Sequence, residues 1–242
     1  MKIFILTLFA EEMGRYFLKG LLKKAHEKKL FDIQFIDIRN SAKDKHRKVD
    51  DYPYGHRKGM ILKADVLYDA ITSIKDYQKY QFIYLCPKGK IFNQEKIREL
   101  SQKQGLIVLA GYFEGVDERI FSFFNIERLS LGNFILSNGE LPALVVADAV
   151  LRYIPGVIGN PECIEEESLA SGLIEAPQYT APRKVRAAEV PEVVLSGNHQ
   201  AINSWRRKES IRETLFSKPS LFMNYDLSNN DCKEIENILK EE

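Results

Sequence analysis

Short apolar runs alternate with amphipathic stretches along roughly the first 150 residues, and this alternation restricts the fold more than any other feature. The apolar runs have the length of buried strands, and the stretches between them repeat apolar residues at helical spacing. Such alternation is typical of an α/β fold with a mainly parallel sheet. The predicted strands are residues 2–8, 32–38, 81–85, 106–110 and 133–136, and the predicted helices are residues 11–28, 64–74, 93–103 and 140–153.

The last third of the chain has a different pattern. Residues 154–186 show no regular period, contain several prolines and carry an acidic run at residues 165–167, as is common in functional linkers. Beyond them, residues 192–195 are predicted as a short strand and residues 201–216 and 230–240 as helices. Trp205 is interpreted as a core residue in preference to the alternative, a platform on which bases stack. The predicted parts are a domain at 1–156, a linker at 157–186 and a small, mainly helical domain at 187–242.

Composition excludes several classes of protein. The chain is 45% hydrophobic, yet it has no apolar run of the roughly 20 residues that cross a bilayer, so we expect a globular protein without a membrane partner. The apolar N-terminus is interpreted as a strand, because no small-residue cleavage site follows it. The three cysteines lack metal-ligand spacing and suit a reducing cytoplasm. The sequence has neither the glycine-rich motif of dinucleotide-binding folds nor that of phosphate-binding P-loops.

The net charge of +1 conceals two basic regions. On charge alone, the first region is either a solvated loop or a docking site for a polyanion such as nucleic acid. The first region contains Lys43, Lys45, His46, Arg47, Lys48, His56, Arg57 and Lys58, and the second contains Arg183, Lys184, Arg186, Arg206, Arg207, Lys208 and Arg212.

Glycine-rich loops follow or precede three of the predicted strands, at residues 86–89, 111–115 and 129–132. Each glycine could simply form its own turn. In an α/β sheet, however, ligands bind beyond the carboxyl ends of the strands, where glycine lets the backbone approach closely. The three loops together therefore predict one shared pocket.

Several longer sequence blocks, spread over about residues 1–222, are more specific than composition. The blocks are Asp-Asp-Tyr-Pro-Tyr-Gly at 50–55, Tyr-Leu-Cys-Pro-Lys-Gly at 84–89, Glu-Gly-Val-Asp-Glu-Arg at 114–119, Gly-Glu-Leu-Pro-Ala at 139–143, Asp-Ala-Val-Leu-Arg-Tyr-Ile-Pro-Gly-Val at 148–157, Pro-Gln-Tyr-Thr at 177–180 and Val-Pro-Glu-Val-Val-Leu-Ser-Gly-Asn-His at 190–199.

These blocks resemble those of the bacterial tRNA (guanine-N1)-methyltransferase family and occur in the same order. The resemblance implies a deep trefoil knot of the SPOUT class in the N-terminal domain. It also implies a homodimer in which the knot loops of one subunit hold S-adenosylmethionine while the linker and C-terminal domain of the other close over it. Magnesium is a further expected cofactor. The implied cofactor-binding residues are Tyr84, Leu85, Pro87, Gly89, Gly111, Glu114, Gly115, Leu131, Gly132, Asn133, Phe134, Ile135, Leu136, Gly139, Leu141 and Pro142.

The implied reaction methylates N1 of the guanine immediately 3′ of the anticodon in tRNA. N1 must lose a proton while negative charge grows on O6, so the site needs a base and a cation or donor. By resemblance, Arg152 interacts with O6 and Glu167 is the base, where the family carries an aspartate. The candidate RNA-binding residues are His46, Asp50, Arg57, Lys58, Ser196 and His199.

The chain also departs from the family pattern. Residues 56–58 replace a glycine run by His-Arg-Lys, Tyr112 replaces an arginine, and Ala181 replaces the arginine after Tyr-Thr. Two alternatives therefore remain beside the main hypothesis. The chain could methylate another RNA site, or it could be an RNA-binding homologue with impaired catalysis.

Overall fold

A computed structural model of the chain describes residues 1–55, 58–159, 168–169 and 172–241, apart from the side chain of Asn224. The chain divides into two compact units, Met1–Gly159 and Asn160–Glu242. Among the described residues, no helix is both long and apolar enough to cross a membrane.

The first unit contains a five-stranded sheet in which every pair of neighbours is parallel, in the order β2-β1-β6-β5-β7. This observation confirms the predicted mainly parallel α/β sheet. A separate antiparallel pair is formed by β3 and β4. The strands are β1 Lys2–Thr7, β2 Asp32–Asp37, β3 Asp50–Asp51, β4 Ile61–Leu62, β5 Gln81–Ile91, β6 Gly105–Leu109 and β7 Ile126–Ser130.

Helices cover both faces of this sheet. Alternate residues of β1 supply the two cores, with Ile3 and Ile5 in one and Phe4 and Leu6 in the other. Successive strand residues point to opposite faces, so apolar runs without polar alternation are what a doubly covered sheet requires. The helices of this unit are α1 Ala10–Phe17, α2 Gly20–Glu27, α3 Ala64–Thr72, α4 Gln94–Ser101, α5 Ile120–Phe123 and α6 Glu140–Leu151.

Three sequence-based predictions of local structure are wrong. The helix expected at 11–28 is two helices, because the chain turns at Gly20, which has a positive φ of 53°. The strand expected at 133–136 is a loop, and the edge strand is Ile126–Ser130 instead. The strand expected at 192–195 is a short helix that begins directly after Pro191, whose fixed φ suits a helix start.

The second unit is built around two packed helices. A small core of Leu173, Ile211 and Ile238 is buried between them, and Trp205 lies outside this core, contrary to expectation. Asn198 caps the longer helix by accepting hydrogen bonds from the backbone of Gln200 and Ala201. The elements are β8 Lys184–Val185, β9 Ala188–Glu189, α7 Glu192–Leu195, α8 His199–Ser217 and α9 Asn229–Glu241.

Several ion pairs join the two long helices of this unit, and the one between Arg207 and Asp231 contains the most buried carboxylate. Arg207 in α8 donates from Nε and Nη2 to Asp231 in α9, both at 2.9 Å, and also to the Tyr225 hydroxyl at 2.7 Å. Ser228 and Asp231 exchange hydrogen bonds in the manner of a capping box at the start of α9. Asp231 is 5% exposed, so its charge depends on these partners.

We predict that the second unit loses stability in acid through Asp231. The Arg207 guanidinium lowers the pKa of Asp231 to about 2, against roughly 3.9 in an unfolded chain. A lowered carboxyl pKa stabilises the fold at higher pH, and this stabilisation disappears as the pH falls from about 4 to about 2.

Asp231→Asn should therefore lower the free energy of unfolding by about 2 kcal/mol at neutral pH and flatten this acid dependence. The measurement is urea unfolding monitored by fluorescence of Trp205, the single tryptophan. Asp226→Asn, at an exposed position, is the matched control and should behave like the parent protein. Equal stability of Asp231→Asn and the parent at pH 7 would contradict the prediction.

Candidate active site

A cavity of about 300 Å³ lies beyond the carboxyl ends of β6 and β7 and beside the irregular middle of β5. Three chain segments form it, at residues 84–87, 111–115 and 129–139, together with Pro142 at the start of α6. This is the edge of a parallel sheet at which ligands usually bind. The glycine-rich loops noted in the sequence thus meet at one pocket.

Most of the predicted cofactor positions line this cavity. Gly89, Asn133 and Leu141 do not. Gly89 packs against the backbone of Leu129, and Leu141 lines a neighbouring apolar cleft. The predicted positions in the cavity wall are Tyr84, Leu85, Pro87, Gly111, Glu114, Gly115, Leu131, Gly132, Phe134, Ile135, Leu136, Gly139 and Pro142.

Other residues that line the cavity were not predicted from the sequence. Cys86, Tyr112 and Phe113 lie inside glycine-rich loops that the sequence had already marked, so the position of the loops was the available signal. Ser130 holds the third loop by accepting from the Gly132 nitrogen at 3.2 Å and donating to the Gly132 carbonyl at 3.0 Å. The remaining lining residues are Leu129, Ser137 and Asn138.

Two loops of the cavity touch through their backbones. The Gly139 nitrogen donates to the Gly111 carbonyl at 2.6 Å, and a Cβ on Gly139 would overlap the Gly111 backbone. A Cβ on Gly111 would lie 3.0 Å from the Tyr84 ring. The backbone contact therefore requires glycine at position 139, whereas a side chain at position 111 would push against the Tyr84 ring.

Tyr84 forms a neutral wall of the cavity. Its side chain is 8% exposed, and its ring packs against Phe121 with centroids 5.7 Å apart. Burial raises the pKa of the Tyr84 hydroxyl to about 12, so the group stays protonated at neutral pH. It can donate a hydrogen bond there but cannot act as a base.

Glu140 is a buried carboxylate that the sequence analysis did not single out. It is 7% exposed and accepts a hydrogen bond from the Thr7 hydroxyl at 3.1 Å, which ties the end of β1 to the start of α6. No described group bonds to its Oε2 atom. Burial raises the pKa of the Glu140 carboxyl.

The predicted catalytic arginine lies at the opposite end of α6 from the cavity. Pro142 lines the cavity, whereas Arg152 directly follows the last residue of the helix, about 15 Å further along its axis. Arg152 is half-buried. Glu167 lies outside the described residues. Within a single chain, the structure therefore does not bring Arg152 to the cavity.

The candidate RNA-binding residues occur in both units. In the first, His46 and Lys58 are exposed and Asp50 lies in β3, while Arg57 is outside the described residues. Part of the first basic region is neutralised, because Lys43 pairs with Asp69 at 2.7 Å and Lys48 with Asp51 at 3.3 Å. In the second unit, Ser196 and His199 are exposed at the start of α8.

Comparison with known proteins gives a consistent result. The family model described as tRNA (Guanine-1)-methyltransferase TrmD matches residues 1–224. The chain is 43% identical to the tRNA (guanine-N(1)-)-methyltransferase of Dictyoglomus turgidum, over 100% of this chain and 98% of that protein. The identity is 45% to the enzyme of the same name from Caldanaerobacter subterraneus, over 95% of each chain, and 43% to that of Geobacillus kaustophilus, over 94% of each. With this coverage, the chain belongs to the tRNA (Guanine-1)-methyltransferase TrmD family.

Proposed function

We propose that this protein transfers a methyl group from S-adenosylmethionine to N1 of guanine 37, the nucleotide immediately 3′ of the anticodon in tRNA. The observation that carries the proposal is the full-length similarity to enzymes named for this chemistry, combined with a glycine-lined cavity at the ligand-binding edge of the sheet. The family match extends over both compact units.

The cavity suits the methyl donor. Its volume is at the lower end of the range for small-molecule sites, and its glycines expose backbone groups to a ligand. Tyr84 supplies an apolar ring with a protonated hydroxyl. When bound, S-adenosylmethionine supplies an electrophilic methyl group. The protein itself then needs to position the guanine, accept the proton of N1 and stabilise the negative charge on O6.

Glu167 and Arg152 are the residues that we assign to those two tasks. The Glu167 carboxylate accepts the N1 proton of guanine, for which a glutamate is nearly as basic as the aspartate of the family. The Arg152 guanidinium donates to O6, where negative charge accumulates. Arg152 is planar and permanently charged, which suits an oxygen that gains charge during the reaction.

The position of Arg152 supports a site shared between two subunits. About 15 Å of helix separates Arg152 from the cavity of its own chain, so a second chain is needed to supply the arginine. An apolar face beside the cavity is available for that contact, with Tyr16 63% exposed, Leu141 56% and Val145 47%. We therefore propose a homodimer in which each cavity is completed by the Arg152 of its partner.

The remaining structural proposals follow from the same family. We propose that the chain of the first unit is threaded as a trefoil knot, which fits the close backbone contacts of Gly139 with Gly111 and of Gly89 with Leu129. The second unit would bind tRNA through its helices, and the segment that carries Glu167 would reach the guanine. We place the protein in the cytoplasm, where tRNA is modified, in agreement with the free thiols of Cys86 and Cys232.

For magnesium, the acidic run at residues 165–167 is the proposed binding segment. No group of three or more His, Cys, Asp or Glu side chains with the geometry to hold a metal is present among the described residues, and the acidic run at 165–167 lies outside them. The proposed proton transfer uses only a carboxylate and a guanidinium.

The first prediction of this proposal concerns the substrate. Incubation of the protein with radiolabelled S-adenosylmethionine and an unmodified tRNA transcript should yield N1-methylguanosine, identified after nuclease digestion. A transcript with adenine in place of guanine 37 should accept no methyl group. Unchanged incorporation into that transcript would indicate another RNA site, and cofactor binding without any transfer would indicate a catalytically impaired homologue.

The second prediction concerns the two catalytic groups. Arg152→Ala and Glu167→Gln should each lower kcat by roughly 10²- to 10⁴-fold, because each removes a group that acts on the guanine in the transition state. The Kd for S-adenosylmethionine, measured by calorimetry, should stay within about twofold of the parent. Glu167→Asp is the matched control: it keeps the carboxylate and should retain most of the activity. A parental rate in Glu167→Gln would assign the base to another residue.

A further inference from the structure

The second unit contains a cleft of about 670 Å³, larger than the cofactor cavity. Its walls are residues 175–179 on one side and α8 on the other. We call it the aromatic cleft and define it by Tyr179, Trp205, Arg206 and Asn203. All of its lining residues belong to the second unit, so it is separate from the cavity at the sheet edge.

Two aromatic rings lie at this cleft. The ring centroids of Tyr179 and Trp205 are 6.2 Å apart, and their planes are tilted by 47°. Tyr179 is 46% exposed, and neither ring contributes to the apolar core formed by Leu173, Ile211 and Ile238. The cleft therefore presents aromatic surface to solvent that the packing of the unit does not use.

The cleft also presents a cation. Most residues of the second basic region are neutralised, and among the described residues only Arg186 and Arg206 of that region form no ion pair. Arg206 lines the cleft and Arg186 does not. The neutralised residues are Arg183 with Glu192, Lys184 with Glu189, Arg207 with Asp231, Lys208 with Glu234 and Glu241, and Arg212 with Glu209 and Glu241.

The two other charged residues in the cleft wall, Glu175 and Arg207, both have partners. The carboxylate of Glu175 accepts a hydrogen bond from the Gln178 amide at 3.0 Å. The guanidinium of Arg207 also lines the cleft but is bound to Asp231 and Tyr225. Arg206 is thus the exposed cation of the cleft wall that an anionic ligand would meet, whereas the exposed carboxylate of Glu175 offers such a ligand no attraction.

Aromatic rings that solvent can reach, here the exposed Tyr179 and the half-buried Trp205, bind single-stranded nucleic acid when an arginine lies beside them. Bases stack on the rings while the guanidinium binds a phosphate. We infer that the aromatic cleft binds one unpaired nucleotide of the tRNA, with its base on Trp205 and Tyr179 and its phosphate on Arg206. The exposed side-chain amide of Asn203 can contact the base edge. This inference rests on the proposed tRNA substrate.

The chain offers a direct optical test. Trp205 is its single tryptophan, so intrinsic indole fluorescence reports on this cleft alone. Titration of the full-length protein with an unmodified tRNA transcript should quench this fluorescence saturably. The titration is then repeated with a series of transcripts, each of which has one abasic nucleotide at a different position of the anticodon loop. The quenching should be lost for only one transcript of the series.

The outcome separates this inference from the proposed function. If the protein methylates the transcript but its fluorescence does not change, the inferred nucleotide site is wrong and the proposed function still holds. Absence of methylation would count against the proposed function itself. A signal that changes on dilution of the protein, and not with RNA, would make the cleft a contact between protein chains and also overturn the inference.

Variants test the same site without depending on the tryptophan signal. Tyr179→Leu and Arg206→Gln should each raise the KM for tRNA roughly tenfold, while kcat and the Kd for S-adenosylmethionine stay unchanged. Trp205→Phe keeps an aromatic ring and should raise the KM less than Trp205→Leu does. Arg186→Gln is the matched control, since it removes the same charge outside the cleft. Equal increases in KM for Arg186→Gln and Arg206→Gln would show that the effect is a general electrostatic attraction of tRNA. That result would contradict the inferred nucleotide site.

Discussion

A single backbone hydrogen bond fixes the geometry on which the proposed catalysis depends. The Gly139 nitrogen donates to the Gly111 carbonyl at 2.6 Å, which holds the segment after β7 against the segment after β6. The same contact closes one side of the cavity and sets the point at which α6 begins. Since a Cβ on Gly139 would overlap the Gly111 backbone, only glycine permits this approach. Cavity shape and helix position are therefore coupled.

The start of α6 determines where its other end lies. The helix has 12 residues and spans about 18 Å, so Arg152 is carried away from the cavity that the helix begins beside. The buried pair of Thr7 and Glu140 reinforces this placement by joining the first turn of α6 to β1. The proposed catalytic role of Arg152, so far from the cavity of its own chain, requires that a second chain supply the arginine. The length of α6 therefore supports the proposed dimer.

Much of this arrangement is visible in the sequence, and the failures have physical causes. The apolar runs predict the parallel sheet, because a strand covered on both faces needs apolar residues at successive positions. The glycine-rich loops correctly predict the position of the cavity. The run at residues 134–136 misled the prediction of a strand because its apolar side chains line the cavity: Phe134 is 55% and Ile135 78% exposed. The sequence predicts Trp205 in the core because periodicity cannot distinguish an aromatic side chain that packs in the core from one that lines a cleft open to solvent. The buried Glu140 gave no signal, since its partner Thr7 is 133 residues away.

The central claim is that each active site combines the cavity of one chain with Arg152 of another, and mixing two inactive variants tests it most directly. Arg152→Ala keeps the cavity but lacks the arginine, whereas Gly111→Leu keeps the arginine and fills the cavity beside Tyr84. Each variant alone should be nearly inactive in methyl transfer. Co-expressed and purified as a mixed dimer, they should regain activity, because one of the two sites then has an intact cavity and an intact arginine. A mixed dimer that forms but stays as inactive as its parents would contradict the shared site.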